Sequence, residues 1–313
     1  QKLHYIGIPV RANWNFVDTK NFTMYVSPDN VKEFSVVGYI FGEKLHELAD
    51  IPIGLVQSAH GGSSAEAWLD YETLERFGGF DLNLERKKID PIWYAFEPTV
   101  LYNKMLAPML PLTVKGVIWY QGESNIFNYQ FYAPMMTAMV QLWRNVWEAP
   151  DMPFYYVQIA PYKYENSRNT GAALLREAQV EALKTIPNSG IVPTTDIGDE
   201  FCIHPPQKDV VGLRLATLAL TKTYGIRRLP SNGPMMTKVD YADKKAIVTF
   251  DNAPAGLFPT FSELEGFEIA GADKKFYPAK AKIVGRTNTV EVWSEEVAQP
   301  IAVRYAFRNY VGN

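Results

Sequence analysis

The sequence predicts an α/β protein, with a parallel sheet covered by helices on both faces and a smaller antiparallel β region at the C-terminal end. Short apolar runs alternate with helix-like segments from about residue 34 onward, the pattern of repeated strand–helix units. Near residue 230 the texture changes, with Pro230, Gly233 and Pro234 marking a break into short alternating runs. A chain of 313 residues exceeds the usual single domain and accommodates one large domain and one small one, here 1–229 and 230–313.

The elements follow in order. Phe34 to Leu48 spaces its apolar residues at three and four, which is the stripe of an amphipathic helix. Ile53 to Gln57 reads as a short buried strand opening into a glycine-rich turn, and Val114 to Tyr120 as another opening into a polar turn. Phe154 to Ala160 and Gly190 to Thr195 are the third and fourth apolar runs. Helical patterns lie between and after them, at Tyr132 to Trp147, Leu174 to Thr185 and Val210 to Leu220. Ligands of such sheets sit beyond the carboxyl ends of the strands, so the turns after Gln57, Tyr120 and Thr195 are expected to converge on one crevice. Beyond residue 230, Ala246 to Phe250, Gly266 to Ala270, Thr289 to Trp293 and Ile301 to Tyr305 read as strands of a small antiparallel domain, incomplete at one edge.

Composition narrows the function classes. A net charge of −3 with no clustered Lys/Arg stripe leaves no electrostatic footprint for a nucleic acid. No apolar run approaches the roughly 18 residues that span a bilayer, so no membrane partner is expected. Cys202 is the one cysteine, which excludes an intrachain disulfide framework. The 18 Tyr and 7 Trp suit a protein that handles sugars by ring stacking, and packing of the core accounts for most of them equally well. The chain starts at Gln1 without a methionine, as a mature, processed or truncated protein would.

Three turns carry candidate chemistry. In Ser58 to Trp68 the pair Gly61-Gly62 lets backbone N–H groups approach a ligand, as an oxyanion pocket requires; a plain strand-to-helix turn capped by Ser63 or Ser64 fits the same residues. In Gln121-Gly122-Glu123-Ser124-Asn125 a side-chain amide past a buried strand can donate to an oxyanion, and the acid can orient it or bind a substrate hydroxyl; a polar turn capping the next helix is the alternative. In Asp196 to Pro205 a histidine, His204, follows the acids Asp196 and Asp199, the way many hydrolases build the base of a dyad or triad; a surface histidine with no catalytic part is the other reading. Pro205 keeps His204 out of the helical region.

Other templates fail. No Gly-x-Ser-x-Gly elbow surrounds Ser124 or any other serine. His46-Glu47 opens the zinc-protease helix motif, but Asp50 stands where the second histidine belongs. Four scattered histidines and one cysteine argue against a transition-metal site, and no Gly-x-Gly-x-x-Gly or phosphate-cradling loop is present.

Taken together, these stretches resemble the sialate O-acetylesterase family, a branch of the SGNH-type serine esterases. The matching text is Phe34 to Gly42, Pro52 to Val56, Gly61 to Trp68, Leu101 to Met105, Trp119 to Asn125, Leu175-Arg176-Glu177-Ala178-Gln179, and Ile203-His204-Pro205 with Lys208 and Arg214. The blocks run in the right order over most of the chain.

The resemblance implies an SGNH, flavodoxin-like three-layer α/β/α domain with a C-terminal β-sandwich region. It implies a carbohydrate O-acetylesterase acting on acetylated sialic acid or another acetylated glycan, with no cofactor and no metal. His204 would be the general base, with Asp199 or Asp196 as its acid. Gly62 would give an oxyanion N–H, the turn with Gln121, Gly122, Glu123 and Asn125 would line the oxyanion and acetyl site, and Arg176 would make substrate or structural contacts. The family's nucleophilic serine lies in a Gly-Gln-Ser-Asn block that this sequence lacks. It is expected on an N-terminal piece, a companion fragment of the same protein, without which the chain alone would not hydrolyse esters. SGNH enzymes often carry an Asp three residues before the histidine, and that position is Phe201. A periplasmic, extracellular or lysosomal setting is implied, and Asn21-Phe22-Thr23 fits the glycosylation acceptor pattern. The alternatives are a carbohydrate-binding protein without catalysis and, among esterases, one of the acetylxylan type.

Overall fold

The structure is a computed structural model that describes residues 4–7, 23–25, 34–83, 94–227, 229, 231–260 and 262–312. Asn21 and Phe22 of the glycosylation pattern lie outside the described residues. The chain forms two compact units. The first comprises 1–160, 174–197 and 204–231, and the second 161–173, 198–203 and 232–313. The expected division at residue 230 lies beside this one, but Pro161–Ala173 and Gly198–Ile203 fold with the second unit.

In the first unit, β1 (His4–Gly7) pairs antiparallel with β2 (Thr23–Tyr25) and parallel with β3 (Gly54–Gln57). A second sheet orders β4 (Val117–Tyr120), β5 (Phe154–Val157) and β6 (Ser189–Val192), all parallel. The helices are α1 (Val36–Ala49), α2 (Tyr71–Phe77), α3 (Tyr132–Val146), α4 (Gly171–Thr185) and α5 (Lys208–Lys222). The Ser35 hydroxyl caps α1 by accepting from the Gly38 N–H at 3.2 Å, and the Asp70 carboxylate caps α2 by accepting from Thr73 N–H at 2.9 Å.

The central strand β5 shows why the unit is layered. All four of its residues are buried, so the strand has protein on both faces. Tyr155 and Val157 face one way, into a core shared with Leu45 of α1 and Val211, Leu215 and Leu218 of α5. Phe154 and Tyr156 face the other way: the Phe154 ring meets Trp143 of α3 at 6.0 Å, and the Tyr156 hydroxyl donates to the Gln179 carbonyl of α4 at 2.7 Å. This is the α/β/α sandwich expected from the sequence. Three of the five described tryptophans are core residues. Trp68, Trp119 and Trp143 stack edge to face at 5.7 and 5.4 Å in the interior, so the aromatic content reports packing in these positions and not a sugar platform.

The second unit contains two antiparallel sheets, one ordered β10 (Phe276–Pro278), β9 (Phe267–Ala270), β13 (Ala302–Tyr305) and one ordered β11 (Lys280–Ile283), β12 (Thr289–Trp293), β8 (Lys245–Asp251), β7 (Met235–Ala242). Val248, Ile269, Ile283, Val290 and Val292 from both sheets share one core, the arrangement of a β-sandwich. Glu268 on β9 is buried and held by Arg304 (2.9 Å) and Arg308 (2.7 Å). Asn309 clasps the segment 161–173: its Oδ1 accepts from Ala172 N–H at 2.9 Å, and its Nδ2 donates to the Asn166 carbonyl at 3.0 Å.

Candidate active site

The turn after β3 and the turn after β4 are sewn together at the carboxyl ends of their strands. Gly62 has a φ of +74°, a left-handed conformation that favours glycine, and its N–H meets no acceptor among the described residues. Its carbonyl accepts from the Ser124 hydroxyl at 2.9 Å. One residue later, the Ser63 carbonyl accepts from Gln121 Nε2 at 2.9 Å, and two residues after that the Ala65 N–H donates to Asn125 Oδ1 at 2.9 Å. Three successive links therefore fix the path of the Gly61-Gly62 backbone from the neighbouring turn.

Asn125 is the hub of this arrangement and is only 1% exposed. Its Oδ1 accepts from Ala65 N–H and from Gln121 Nε2 (2.7 Å), while its Nδ2 donates to Glu66 Oε2 (2.8 Å) and Asn128 Oδ1 (3.2 Å). Gln121 is 7% exposed and equally committed. Its two N–H groups go to Ser63 O and Asn125 Oδ1, and its Oε1 accepts from the Tyr132 hydroxyl at 2.9 Å. A primary amide carries two donors, and both are spent inside the protein. This corrects the expectation that the Gln121 amide donates to an oxyanion; it and Asn125 shape the turn that presents Gly62. Burial pushes the Tyr132 hydroxyl far above the ordinary phenol range, so it stays a neutral donor.

Gly122 joins strand and turn at φ +151°, and a Cβ there would lie 2.7 Å from Ile159 Cγ2 and 2.9 Å from Leu175 Cδ2. No side chain fits. Beneath it Gln179 of α4, 1% exposed, donates to the carbonyls of Gln121 and Val157 at 3.2 Å each and accepts from Ile159 N–H at 2.9 Å. Arg176, one turn earlier on α4, is buried, and its backbone carbonyl accepts from Gln158 Nε2 at 3.1 Å.

His204 is exposed, at the entry to α5. Lys208 in the first turn of α5 reaches the end of β4, its Nζ lying 3.2 Å from the Tyr120 hydroxyl and 4.7 Å from the ring centroid. Glu123, three residues past Tyr120, sits in a recess where burial pushes its carboxyl above the usual range; its own backbone N–H and the positive charges of Lys208 and His204 pull it back. Tyr120 is raised as well, first by burial and then by Glu123. The structure thus brings Glu123, Lys208 and His204 into one electrostatic neighbourhood.

The two acids that precede the histidine have clear partners. Both Asp196 oxygens are gripped by Arg214, Nη1 to Oδ1 at 2.8 Å and Nη2 to Oδ2 at 2.5 Å, which holds its carboxyl below the usual range. Asp199 belongs to the second unit, where its Oδ1 accepts from the N–H groups of Phe201 (2.8 Å) and Cys202 (2.9 Å), closing an Asx turn.

Comparison with known proteins bears on what these turns are for. Residues 11–221 match the family model described as carbohydrate esterase, sialic acid-specific acetylesterase. The chain belongs to this family. It is 27% identical over 327 residues to the sialate O-acetylesterase of Mus musculus, covering 90% of this chain and 60% of that protein. With the sialate O-acetylesterase of Homo sapiens it is 29% identical, over 69% of this chain and 44% of the other. The chain therefore spans about 60% or less of the length of these curated relatives. A crystal structure of a carbohydrate acetylesterase from Xanthomonas citri superposes with a TM-score of 0.85 at 34% identity, covering 98% of this chain and 68% of that one. The α/β domain with a β-rich C-terminal region is thus the family's architecture.

Four residues of the network carried no role in the sequence reading. Ser124, which no nucleophile elbow surrounds, is a hydrogen-bond donor to the Gly62 carbonyl. Glu66, Tyr132 and Gln179 complete the framework. Gln179 had a usable signal: it stands on a helix among Ala178, Ala182 and Leu175, and a polar amide at core spacing demands buried partners.

Proposed function

We propose that this chain is the greater part of a carbohydrate O-acetylesterase that removes acetyl groups from sugar hydroxyls by serine–histidine acyl transfer. The observation that carries the reading is the Gly62 N–H, open to a ligand and fixed in place by the buried Gln121–Asn125 turn, in a chain of the esterase family. A single preorganised donor of this kind contributes about 3–4 kcal/mol to the transition state of acyl transfer.

The serine comes from the Gly-Gln-Ser-Asn block that the family resemblance implies. Its oxygen bonds to the acetyl carbonyl carbon while His204 takes the hydroxyl proton, and the carbonyl electrons move to an oxygen facing Gly62. The carbon–oxygen bond to the sugar then breaks, and His204 returns the proton to the departing sugar hydroxyl. Water adds to the acetyl-serine, again losing its proton to His204; acetate leaves and the serine oxygen regains that proton. The backbone of Gly62 serves both halves of the cycle.

Acetylated sialic acid is the substrate favoured by the similarity to sialate O-acetylesterases over most of the chain, and such glycans point to a periplasmic, extracellular or lysosomal setting. No helix among the described residues is long and apolar enough to cross a membrane. The test is acetate release by the natural-length protein from O-acetylated sialic acid and from acetylated xylo-oligosaccharide. Faster release from the sialic acid supports the reading in full. Preference for the xylan substrate moves the specificity and keeps the chemistry, and no release from either refutes the esterase assignment.

A further inference from the structure

The turn that carries Gly62 has a second wall, which the catalytic cycle leaves unused. Ser64 N–H donates to the Ala95 carbonyl at 3.3 Å, the Ser64 hydroxyl to the Phe96 carbonyl at 3.2 Å, and Thr99 N–H to the Glu66 carbonyl at 3.1 Å. The segment 94–99 therefore runs along the turn after β3. Two residues before Gly62, the His60 ring meets the Tyr94 ring edge to face, with centroids 4.9 Å apart. His60 Nδ1 lies 3.0 Å from the Gly61 carbonyl, which can only accept, so Nδ1 carries the proton and the ring is fixed by that bond. The Lys104 ammonium lies over the same Tyr94 ring, 5.3 Å from its centroid and within cation–π range. A line of contacts thus leads from the oxyanion donor to a cation, over about the span of one sugar residue.

The backbone is bent to put Lys104 there. Thr99 has a φ of +68°, in the left-handed region that a β-branched residue rarely enters. Tyr102–Leu106 form a π-helical turn, closed by the Ala107 N–H on the Tyr102 carbonyl. Backbone strain of the first kind and wide turns of the second gather at functional sites. The wide turn buries Tyr102, Met105 and Leu106 and leaves Asn103 and Lys104 exposed. Among the described residues no carboxylate pairs with Lys104, although acids outnumber bases in the chain.

We propose that Tyr94 and Lys104 form the sugar subsite beside the Gly62 donor, and that this subsite takes an acidic monosaccharide. The Lys104 ammonium pairs with the carboxylate of the sugar, and Tyr94 packs against its ring carbons. His60 is a positioning residue that holds Tyr94 to the turn. The inference rests on the reading of the Gly62 turn as the place where the acetyl ester is attacked. It adds a reason for choosing a sialic acid, which carries a carboxylate, over a neutral xylose unit.

The pairing is tested by a cycle that removes the charge from either side. Natural-length protein and its Lys104→Gln variant, changed at a surface position, are each titrated with free sialic acid and with its C1 carboxamide, binding being followed by saturation-transfer NMR. Wild type is expected to hold the acid about 3- to 10-fold more tightly than the amide, and Lys104→Gln to hold the two alike. The free sugars carry no acetyl ester, so this arm stands apart from hydrolysis: a gap that Lys104→Gln closes, in a protein that releases no acetate, would refute the esterase reading and keep the subsite. In the esterase, KM for O-acetylated sialic acid should rise by the same factor in Lys104→Gln with little change in kcat, whereas Tyr94→Leu should raise KM for the acetylated acid and its carboxamide alike. An acid–amide gap that survives in Lys104→Gln, or no gap in the wild type, overturns the proposal. Failure of the folded wild-type protein to bind either sugar overturns it as well.

Discussion

Two buried polar clusters, one in each unit, solve the same problem in opposite ways. Around Asn125 the first unit joins amides, a phenol and backbone groups, with Glu66 as the one carboxylate, and nearly every donor meets an acceptor. Around Glu268 the second unit joins one carboxylate to two guanidinium groups. The ion cluster binds β9 to its neighbour β13, through Arg304, and to the chain that follows, through Arg308. The amide cluster ends on a backbone N–H that is left open at Gly62. Neutral hydrogen bonds can fix a backbone to fractions of an ångström without filling the site with charge that would compete with a developing oxyanion. Charged pairs hold just as firmly, but their hold depends on pH.

That difference is open to attack by mutation. The largest loss is expected for Asn125→Ala, which strands the Ala65 and Gln121 N–H groups and one Glu66 oxygen in the interior; about 3–5 kcal/mol of stability should disappear in urea unfolding. Because the amide is neutral, the loss should be similar at pH 8 and pH 5. Gly122→Ala follows at about 2–4 kcal/mol, since its Cβ overlaps Ile159 and its φ is one that L-residues rarely adopt. Acetate release should fall with it, as the turn that aims Gly62 is displaced.

Glu268→Gln should cost about 1–3 kcal/mol near neutral pH, less than a fully buried pair because both arginines reach solvent. Burial acts to raise the Glu268 carboxyl, but the hydrogen bonds and charges of Arg308 and Arg304 together outweigh it and hold the group below its ordinary value. A depressed carboxylate stabilises the fold above its unfolded pKa of about 4.3 and loses that contribution as pH falls through the folded value. The gap between wild type and variant in thermal unfolding should therefore close in acid. A gap that persists in acid would mean packing and not charge holds the cluster. Asp196→Asn is the smallest, at about 0–1 kcal/mol, because its pair with Arg214 is open to water.

Much of the architecture was legible from the apolar runs. The strands β3, β4 and β5 fall within the runs read from periodicity and β6, α3 and α4 overlap theirs, whereas α2 was not read; strands buried on both faces announce themselves as continuous apolar text. In the second unit β8, β9, β12 and β13 were readable, whereas β7, β10 and β11 were not. The edge strand β7 pairs only with β8 and is exposed along most of its length, so no buried face imprints a pattern on Met235–Ala242. The site was legible as a set of turns and not as a division of labour. Spacing located Gly62, Gln121 and Asn125, but whether an amide donates to a ligand or to its own neighbours depends on contacts across about 60 residues of sequence, and these decided against Gln121. Asp196 and Asp199 were plausible by proximity to His204 alone, and their partners Arg214, Phe201 and Cys202 are set by tertiary and turn geometry.

The claim on which the rest depends is that His204 moves the protons of acetyl transfer. It is tested most directly by acetate release from O-acetylated sialic acid by the natural-length protein and its His204→Ala variant, compared at equal folded concentration. Loss of kcat by at least about 10³-fold with an unchanged melting temperature is predicted, and full activity in the variant would contradict the account.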